Sequence, residues 1–373
     1  MIDTVSLRNF KCFDRQDIKT RKLTVLAGLN GMGKSSVVQS LLLIRQSFLD
    51  GLLPQVGLEL NGSLVQMGTA QDVLYEDAES DDFEIGLTWD DAKRTKFVLQ
   101  YDREADVLHI DPETIDPSIF DRTPFTDAFN YLQAERLGPR TTNTISDYQV
   151  REHRQIGTAG QYAPHFLSVY GSEVVSDGRA ILSQTAPADL RAQVQAWLNL
   201  VSPGTEIHLE VHAMMDLVNL RYSFVTGEER SNRYRATSVG FGITYVLPVL
   251  VALLSSRPGS ILLLENPEAH LHPRGQARIG DLLARAAAAG VQILVETHSD
   301  HVLNGVRVAV HGGVIDPEAV AIHYFSRVED SGRVRAKVQS PVIDRDGRLD
   351  IWPDGFFDEW DKSLEQLLAP VRK

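Results

Sequence analysis

Residues 28–36 read Gly28-Leu-Asn-Gly-Met-Gly-Lys-Ser-Ser36, which fits the pattern G-x-x-x-x-G-K-[ST]. An apolar run over 22–27 precedes the stretch and an apolar-rich run over 36–49 follows it, as expected for a strand and a helix. Glycines let backbone N–H groups turn toward an anion, and the N-terminus of the helix adds the positive end of its dipole. The stretch therefore predicts a Walker A phosphate loop between a strand and a helix.

In a loop of this kind the lysine reaches the β- and γ-phosphates and the serine hydroxyl ligates Mg²⁺. We therefore assign these roles to Lys34 and Ser35 and predict a nucleoside triphosphate with Mg²⁺ as the ligand. The other predicted nucleotide contacts within the loop are Asn30, Gly31, Gly33 and Ser36.

Composition limits the class of protein. Of the 373 residues, 43% are hydrophobic and one is a cysteine, Cys12, which is typical of a globular protein without disulfides in a reducing cytoplasm. The sequence has no apolar run of about 18 residues, so we expect no membrane span and a cytoplasmic location. The net charge of −13 argues against nucleic-acid binding over the whole surface, although not against a local basic groove.

A second motif predicts the acidic half of the nucleotide site. Residues 261–265 are four apolar residues followed by Glu265, the pattern of a Walker B strand that holds a Mg²⁺-bound water beside the phosphates. A later apolar run ends at Glu296-Thr-His-Ser299. His298 would lie at the carboxyl edge of a sheet, where α/β proteins place ligand-binding groups, and is a candidate γ-phosphate sensor.

A further anion site is predicted at Ser238-Val-Gly-Phe-Gly242, which leads into a predicted helix over 242–254. One ATP needs only one phosphate loop, so we predict that Ser238 and Gly240 contact a nucleotide held by a second subunit. A helix cap with glycines for close packing is the alternative interpretation.

The segments between these motifs contain further patterns. Alternating residues predict short strands over 83–89, 96–101 and 107–110, and Asn61-Gly62 predicts a hairpin over 56–67. From 111 to 190 prolines and glycines interrupt the pattern, which predicts a helical or irregular insert.

Taken in order, these motifs resemble an ABC-type ATPase of the RecF/SMC/OLD group, over residues 1–75 and 236–305. The resemblance implies an α/β P-loop head with a mixed or parallel core sheet flanked by helices, an N-terminal antiparallel β lobe and an inserted module. It also implies a homodimer in which two heads sandwich two ATP molecules. The predicted parts are the N-terminal half of the head, the inserted module, the C-terminal half of the head and a small extension: 1–110, 111–235, 236–326 and 327–373.

The resemblance also implies roles for single residues. Lys11 looks like the family's N-terminal lysine near the nucleotide, and Ser238–Gly242 stands where the ABC signature belongs. Gln71 resembles the Q-loop glutamine that ligates the metal, with Gln66 nearly as suitable. His298 matches the switch histidine.

The chain departs from the family pattern in three ways. Asn266 stands where the catalytic glutamate is expected, and an amide cannot accept a proton. Either Glu268 substitutes as the base, or hydrolysis is slow and ATP serves mainly as a dimer clamp. The sequence lacks both the heptads of coiled-coil arms and a stretch after His298 long enough for a Toprim domain.

Two more stretches resemble parts of related ATPases. Residues 350–360 resemble a small domain of unknown function found in bacterial defence-type ATPases, and we interpret them as a capping turn with aromatic packing. Arg136 and Arg140 lie in a stretch that resembles an arginine-bearing strand, and we interpret them as surface or salt-bridged residues rather than contacts to phosphate or DNA. The arginines at 221, 230, 233 and 235 are a weak candidate for a DNA-facing stripe.

The leading functional prediction is a cytoplasmic, ATP-hydrolysing dimeric switch that acts on DNA or on an effector protein, in phage defence or DNA repair. The alternative is a metal-dependent nuclease that uses acids of the insert: Asp111, Glu113 and Asp116. The ATPase subunit of a transporter is a third reading, which would need a membrane partner.

Overall fold

The computed structural model describes residues 1–175, 187–330 and 333–369. Within these ranges, none of the helices combines the length and apolar character that a membrane crossing requires. Parts of the predicted insert and of the predicted C-terminal extension, namely residues 176–186, 331–332 and 370–373, lie outside the described residues.

The chain contains both strands and helices, which alternate regularly only in its C-terminal half. In chain order, the strands are β1 (Ile2–Phe10), β2 (Phe13–Lys19), β3 (Leu23–Gly28), β4 (Gly57–Glu59), β5 (Asp82–Trp89), β6 (Arg94–Gln100), β7 (Val107–His109), β8 (Phe129–Leu132), β9 (Asn143–Thr144), β10 (Thr205–His212), β11 (Leu217–Thr226), β12 (Glu229–Arg230), β13 (Tyr234–Arg235), β14 (Ile261–Glu265), β15 (Gln292–Glu296), β16 (Val320–Asp330) and β17 (Arg333–Gln339). The α-helices are α1 (Lys34–Leu49), α2 (Ala70–Val73), α3 (Ala163–Tyr170), α4 (Leu190–Val201), α5 (Phe241–Ser255), α6 (Pro273–Ala288), α7 (Asp300–His311) and α8 (Glu359–Leu368).

A six-stranded central sheet has the order β17-β16-β3-β15-β14-β8. All neighbouring pairs in it are parallel except β16 and β17. The apolar residues of β14 are fully buried, because helices or a second sheet cover both faces. The predicted mixed core sheet is confirmed. Since the carboxyl ends of parallel strands share one edge, the ends of β3, β14 and β15 meet there.

Alternate residues of the central strands pack on opposite faces of the sheet. Leu26 and Leu263 belong to a core that includes α1 and the N-terminal sheet. Val25 and Leu264 belong to a second core, which includes residues of α4, α5, α6 and α7. The two cores hold the central sheet between them, so its carboxyl edge has a defined position.

The N-terminal residues form a four-stranded antiparallel sheet with the order β2-β1-β5-β6. Along β6 buried and exposed residues alternate strictly, as expected when one face of a sheet packs and the other is solvated. Val5 and Leu7 of this sheet lie in the same core as Val37 and Leu41 of α1. The predicted antiparallel lobe is therefore present and covers the helix that follows the phosphate loop.

The hairpin predicted over 56–67 is present only in its central part, where Asn61 and Gln66 form an isolated antiparallel bridge, whereas β4 pairs with β7. The side-chain oxygen of Gln46 on α1 accepts hydrogen bonds from the N–H groups of Leu64 and Val65, and its NH₂ group donates to the carbonyl of Glu59. A helix side chain thus satisfies backbone groups on both sides of this short bridge.

The segment predicted as an inserted module contributes directly to the head. Strand β8 forms the edge of the central sheet beside β14. The rest of the segment includes a sheet built on the antiparallel pair β10–β11, and α3 and α4 pack against α5. The domain boundaries stay a prediction. The residues that follow β8, however, lie next to the end of the Walker B strand.

The C-terminal residues pack as a capping turn, as predicted. The Phe356 ring is fully buried and contacts the rings of Tyr324 and Trp352. A turn lies at residues 344–347, with the N–H of Gly347 donating to the carbonyl of Asp344.

Candidate functional site

The phosphate loop connects the end of β3 to the start of α1. Gly28 and Gly33 have φ angles of 133° and 101°, in the region that favours glycine. A Cβ atom at Gly28 would collide with the backbone of Phe325, and one at Gly33 would collide with the side chains of Phe13 and Cys12. The glycines of the motif are therefore required by the tight packing of the loop against neighbouring strands.

Lys34 lies at the first position of α1 and is 2% exposed. Its Nζ donates to the carbonyls of Gly28 (3.0 Å) and Leu29 (2.8 Å) and lies 3.9 Å from a carboxylate oxygen of Glu296. Burial lowers the pKa of Lys34, and the charge of Glu296 opposes this shift. A lysine ammonium group held inside a loop of backbone is the arrangement that the binding of a polyphosphate requires.

Glu296 is a site residue that the sequence analysis missed. The Ser35 hydroxyl donates to its carboxylate, with distances of 2.9 and 3.1 Å to the two oxygens. Burial raises the pKa of Glu296, and the nearby Lys34 ammonium lowers it. The sequence contained one signal that could have identified Glu296. It is the last residue of an apolar run that predicts a buried strand, and it directly precedes Thr297-His298 in the quoted motif.

Glu265 lies on the neighbouring strand, in register with Glu296. The hydroxyl of Tyr131 donates to one of its carboxylate oxygens at 2.9 Å, and the N–H of Ala134 donates to the other at 3.2 Å. In this structure the acid hydrogen-bonded to Ser35 is Glu296, although we predicted Glu265 for the metal. The two carboxylates are close enough for Glu265 to raise the pKa of Glu296.

Glu268 and His298 are brought together, as the motifs predict. A carboxylate oxygen of Glu268 accepts the backbone N–H of His298 at 2.8 Å. Burial raises the pKa of Glu268, which is 8% exposed. The imidazole of His298 is partly exposed, and the loss of water on its covered side and the charge of Lys34 lower its pKa. A carboxyl group with a raised pKa is a good proton acceptor near neutral pH.

An open cleft of about 580 Å³ surrounds the phosphate loop. Lys11, which has a positive φ of 53°, lines it and donates from Nζ to the side-chain oxygen of Gln39 at 2.9 Å. Other residues along the cleft include most of the predicted nucleotide contacts: Asn30, Gly31, Gly33, Lys34, Ser35 and Ser36. The structure thus brings the Walker A residues, Lys11 and Glu296 into one solvent-open space.

The predicted glutamine ligand lies elsewhere. Gln71 accepts a hydrogen bond from Nε of Arg103 at 2.9 Å and is absent from the cleft lining, whereas its neighbour Asp72 lines the cleft. Gln66 is exposed and also lies outside this lining. The metal role of Gln71 stays a prediction, and it would require this segment to rearrange.

The signature stretch is exposed at the start of α5. Gly240 is the residue before the helix, with an ordinary φ of −61°, and open space surrounds the position of a Cβ atom there. Ser238 and Gly240 are exposed, and neither lines the cleft around the phosphate loop. The signature is therefore not part of the cleft formed by the chain's own Walker A loop.

The surface interpretation of Arg136 is wrong, because its side chain is 2% exposed and lies against the end of β14. No periodicity in the surrounding sequence predicts that Arg136 is buried, because its burial depends on the pairing of β8 with β14. Arg140 is exposed, as interpreted.

The acids proposed for a nuclease serve as local caps. Asp111 accepts the N–H of Glu113, and Asp116 accepts the N–H of Ser118 and pairs with Lys93. Across residues 1–175, 187–330 and 333–369, no group of three or more cysteine, histidine or acidic side chains is arranged to hold a metal ion. Asp111 and Asp116 are thus engaged in local contacts, and the nuclease alternative stays a prediction.

Cys12 offers a direct test of where the nucleotide binds, because it is the only cysteine and it lines the cleft beside Ser36. We expect saturating ATP·Mg²⁺ to slow its reaction with a maleimide, by about tenfold when ATP is ten times its Kd. The intact mass of the protein measures the reaction. Burial raises the pKa of the thiol, so the rate should keep rising with pH above the ordinary thiol range.

The control for this labelling experiment is the Lys34→Ala variant, which should lose the protection at the same ATP concentration. Labelling of the wild type that is unchanged by saturating ATP would contradict a nucleotide position in this cleft.

Three protein families match the chain. "AAA ATPase domain" matches residues 1–151, "AAA domain, putative AbiEii toxin, Type IV TA system" matches residues 166–304, and "Protein of unknown function (DUF3696)" matches residues 315–367. No curated protein matches the chain in sequence. The first two matches contain the Walker A and Walker B strands, so they assign ATPase domains to the chain.

Solved structures with a similar fold are heads of SMC proteins. An SMC head bound to the C-winged helix domain of ScpA has a TM-score of 0.51 and 14% identity, over 91% of this chain and 97% of that chain. The SMC head domain from Thermotoga maritima has a TM-score of 0.45 and 13% identity, over 90% and 98%. At this identity the likeness describes the fold only. The matches assign AAA-type ATPase domains and a C-terminal domain of unknown function to the chain, whose fold is similar to that of an SMC head, with no coiled-coil arms among the described residues.

Proposed function

We propose that the protein is a homodimeric nucleotide switch in which ATP is held between the Walker A loop of one subunit and the signature of the other. The observation that carries this proposal is the separation of the two halves within one chain. Lys34 and Ser35 face the cleft, whereas Ser238 and Gly240 are exposed outside it. A second chain would bring an exposed helix N-terminus to the open side of the cleft, where the phosphates need further N–H donors.

Hydrolysis in this switch is slow, because Asn266 occupies the position of the usual base. Its φ of 44° places it in a left-handed turn, and its side-chain oxygen is buried without a partner among the described residues. Glu268 is the substitute base that the geometry supports best. Mg²⁺, when bound, neutralises phosphate charge. Ser35 and the neighbouring acids Glu296 and Glu265 are the residues that would hold it and its waters.

The switch acts on a partner effector protein or on DNA, in phage defence or DNA repair. The SMC head named above is bound to a winged-helix domain of ScpA, which supports a partner protein. The arginine stripe supports direct DNA binding less well, because Arg230 pairs with Glu206 at 2.7 Å. An effector protein is therefore the favoured output.

Light scattering tests the dimer. We expect the molar mass to double on addition of ATP·Mg²⁺ or a non-hydrolysable analogue. Gly240→Asp should bind ATP but stay monomeric, since an aspartate fits sterically at this position and would face the phosphates of the partner's nucleotide. The control is Asn232→Asp, which adds the same charge at an exposed position outside the signature and should dimerise. A wild-type protein that stays monomeric with bound ATP, or a Gly240→Asp variant that dimerises normally, would overturn the sandwich.

A further inference from the structure

A buried guanidinium lies where β8, the Walker B strand and the signature helix meet. Arg136 donates from Nη1 to the carbonyl of Glu265 at 2.8 Å and from Nη2 to the carbonyl of Asn266 at 2.6 Å. It also donates to the carbonyl of Gln133 at 3.2 Å. The fork geometry of arginine lets one side chain bind the two consecutive carbonyls at the end of β14, which a lysine ammonium cannot reproduce in the same way.

These carbonyls begin a turn over residues 266–270 that is held in uncommon conformations. Asn266 and His270 have φ angles of 44° and 63°, which cost free energy in residues other than glycine. Glu268 lies between them and is bonded to the backbone of His298. We call residues 266–270 the Walker B turn. Its geometry depends on contacts from outside the turn, and Arg136 supplies two hydrogen bonds at its start.

Three polar atoms in this region are buried without a partner among the described residues: Nε of Arg136, Oδ1 of Asn266 and Oε2 of Glu268. Buried polar atoms in proteins are normally hydrogen-bonded, so this cluster lacks partners that a rearrangement or a bound group could supply. Burial lowers the pKa of Arg136 to about 10, which leaves it charged at neutral pH.

The signature helix touches the same guanidinium and the same turn. The Tyr245 ring lies under the Arg136 guanidinium at 5.5 Å from its centroid and contacts the His270 ring at 4.7 Å. Gly242 approaches the carbonyl of His270 so closely that a Cβ atom would collide with it. Phe241, which also contacts Tyr245 and His270, is 57% exposed at the start of the helix.

We propose that Arg136 is a positioning residue that links the signature helix, through Tyr245, to the Walker B turn that carries Glu268. The proposal rests on the ATP sandwich proposed above. The signature helix of a chain then contacts the partner's nucleotide, while its Walker B turn acts on its own nucleotide. The link therefore makes the two ATP sites of the dimer interdependent. When the signature of a chain closes on the partner's ATP, the link sets the orientation of Glu268 at the chain's own ATP.

Arg136→Lys is the first test, because it keeps the positive charge and removes the fork. We expect kcat for ATP hydrolysis to fall about tenfold or more, while the Kd for ATP changes less than about twofold, since Arg136 makes no contact with the Walker A loop. ATP-dependent dimerisation should persist. Arg140→Lys is the matched control, an exposed arginine of the same segment, and should leave all three quantities unchanged.

Tyr245 provides a second test that does not alter the buried charge. Tyr245→Leu removes the ring under the guanidinium and should lower kcat in the same direction as Arg136→Lys, whereas Tyr245→Phe keeps the ring and should lose less. Both Arg136→Lys and Tyr245→Leu should also lower the Hill coefficient of ATP hydrolysis toward one, which a purely structural role would not do.

The outcomes separate this proposal from the sandwich. A wild-type protein that forms no ATP-dependent dimer would count against the proposed function. A dimer that forms normally while Arg136→Lys and Tyr245→Leu keep the wild-type kcat and Hill coefficient would overturn the link. The link would also be overturned if both variants lost melting temperature, ATP affinity and kcat in parallel. Arg136 would then only stabilise the fold.

Discussion

Lys34→Ala is expected to lower the affinity for ATP by about two orders of magnitude or more. The ammonium group is almost fully buried in the phosphate loop, where it donates to the carbonyls of Gly28 and Leu29 and would donate to the phosphates of a bound nucleotide. Hydrogen bonds to charged groups contribute about 1.5–3 kcal/mol each, and about 2.7 kcal/mol corresponds to a hundredfold change in Kd. Titration with a fluorescent ATP analogue measures the change.

The same variant should abolish ATP-dependent dimerisation at ATP concentrations that saturate the wild type. Lys19→Ala is a suitable control because Lys19 is exposed on β2, away from the loop. An unchanged Kd in Lys34→Ala, with the fold intact by circular dichroism, would show that the nucleotide does not bind at this loop.

Glu268→Gln is expected to lower kcat by about 10²–10³ while ATP binding and dimerisation persist. A positioned general base contributes about 10²–10⁴ to a rate, and an amide cannot accept a proton. The glutamine keeps the size of the side chain and an oxygen that can accept the N–H of His298, so the turn should keep its shape. The variant should therefore accumulate as an ATP-bound dimer, which light scattering and single-turnover hydrolysis detect.

The pH dependence of the wild type gives an independent readout of the base. Burial raises the pKa of Glu268, so its carboxylate form is lost at a higher pH than for an ordinary glutamate. The acidic limb of kcat should lie above the usual glutamate range and should disappear in Glu268→Gln. Asn266→Asp is the companion variant. It places a carboxylate at the position of the usual base, and aspartate tolerates the left-handed φ of this residue. Wild-type turnover by Glu268→Gln would exclude Glu268 as the base.

Local sequence patterns were sufficient to predict those elements whose formation has a local physical cause. The phosphate loop, the buried strands β3, β14 and β15 and the helices after them follow from apolar runs and glycines within about 20 consecutive residues. The sharing of one sheet edge by Lys34, Glu265 and His298 then follows from the topology of parallel strands. These features determined the fold class and the ATPase assignment from sequence alone.

Contacts between distant segments were decided only by the tertiary structure. Glu296 meets Ser35 because β15 inserts between β3 and β14, and this strand order is not written in any local periodicity. Arg136 is buried because the nearby strand β8 pairs with β14, which is far away in the sequence. The 56–67 hairpin is reduced to the bridge between Asn61 and Gln66, and Gln46 of α1 binds backbone groups beside that bridge.

The sequence by itself thus predicted the phosphate loop and its place between a strand and a helix, since such a loop is built from consecutive backbone groups. The tertiary structure alone decided which acid faces Ser35 and which arginine holds the Walker B turn. Hydrogen bonds and burial between segments more than a hundred residues apart depend on strand order and packing, which single-residue patterns do not encode.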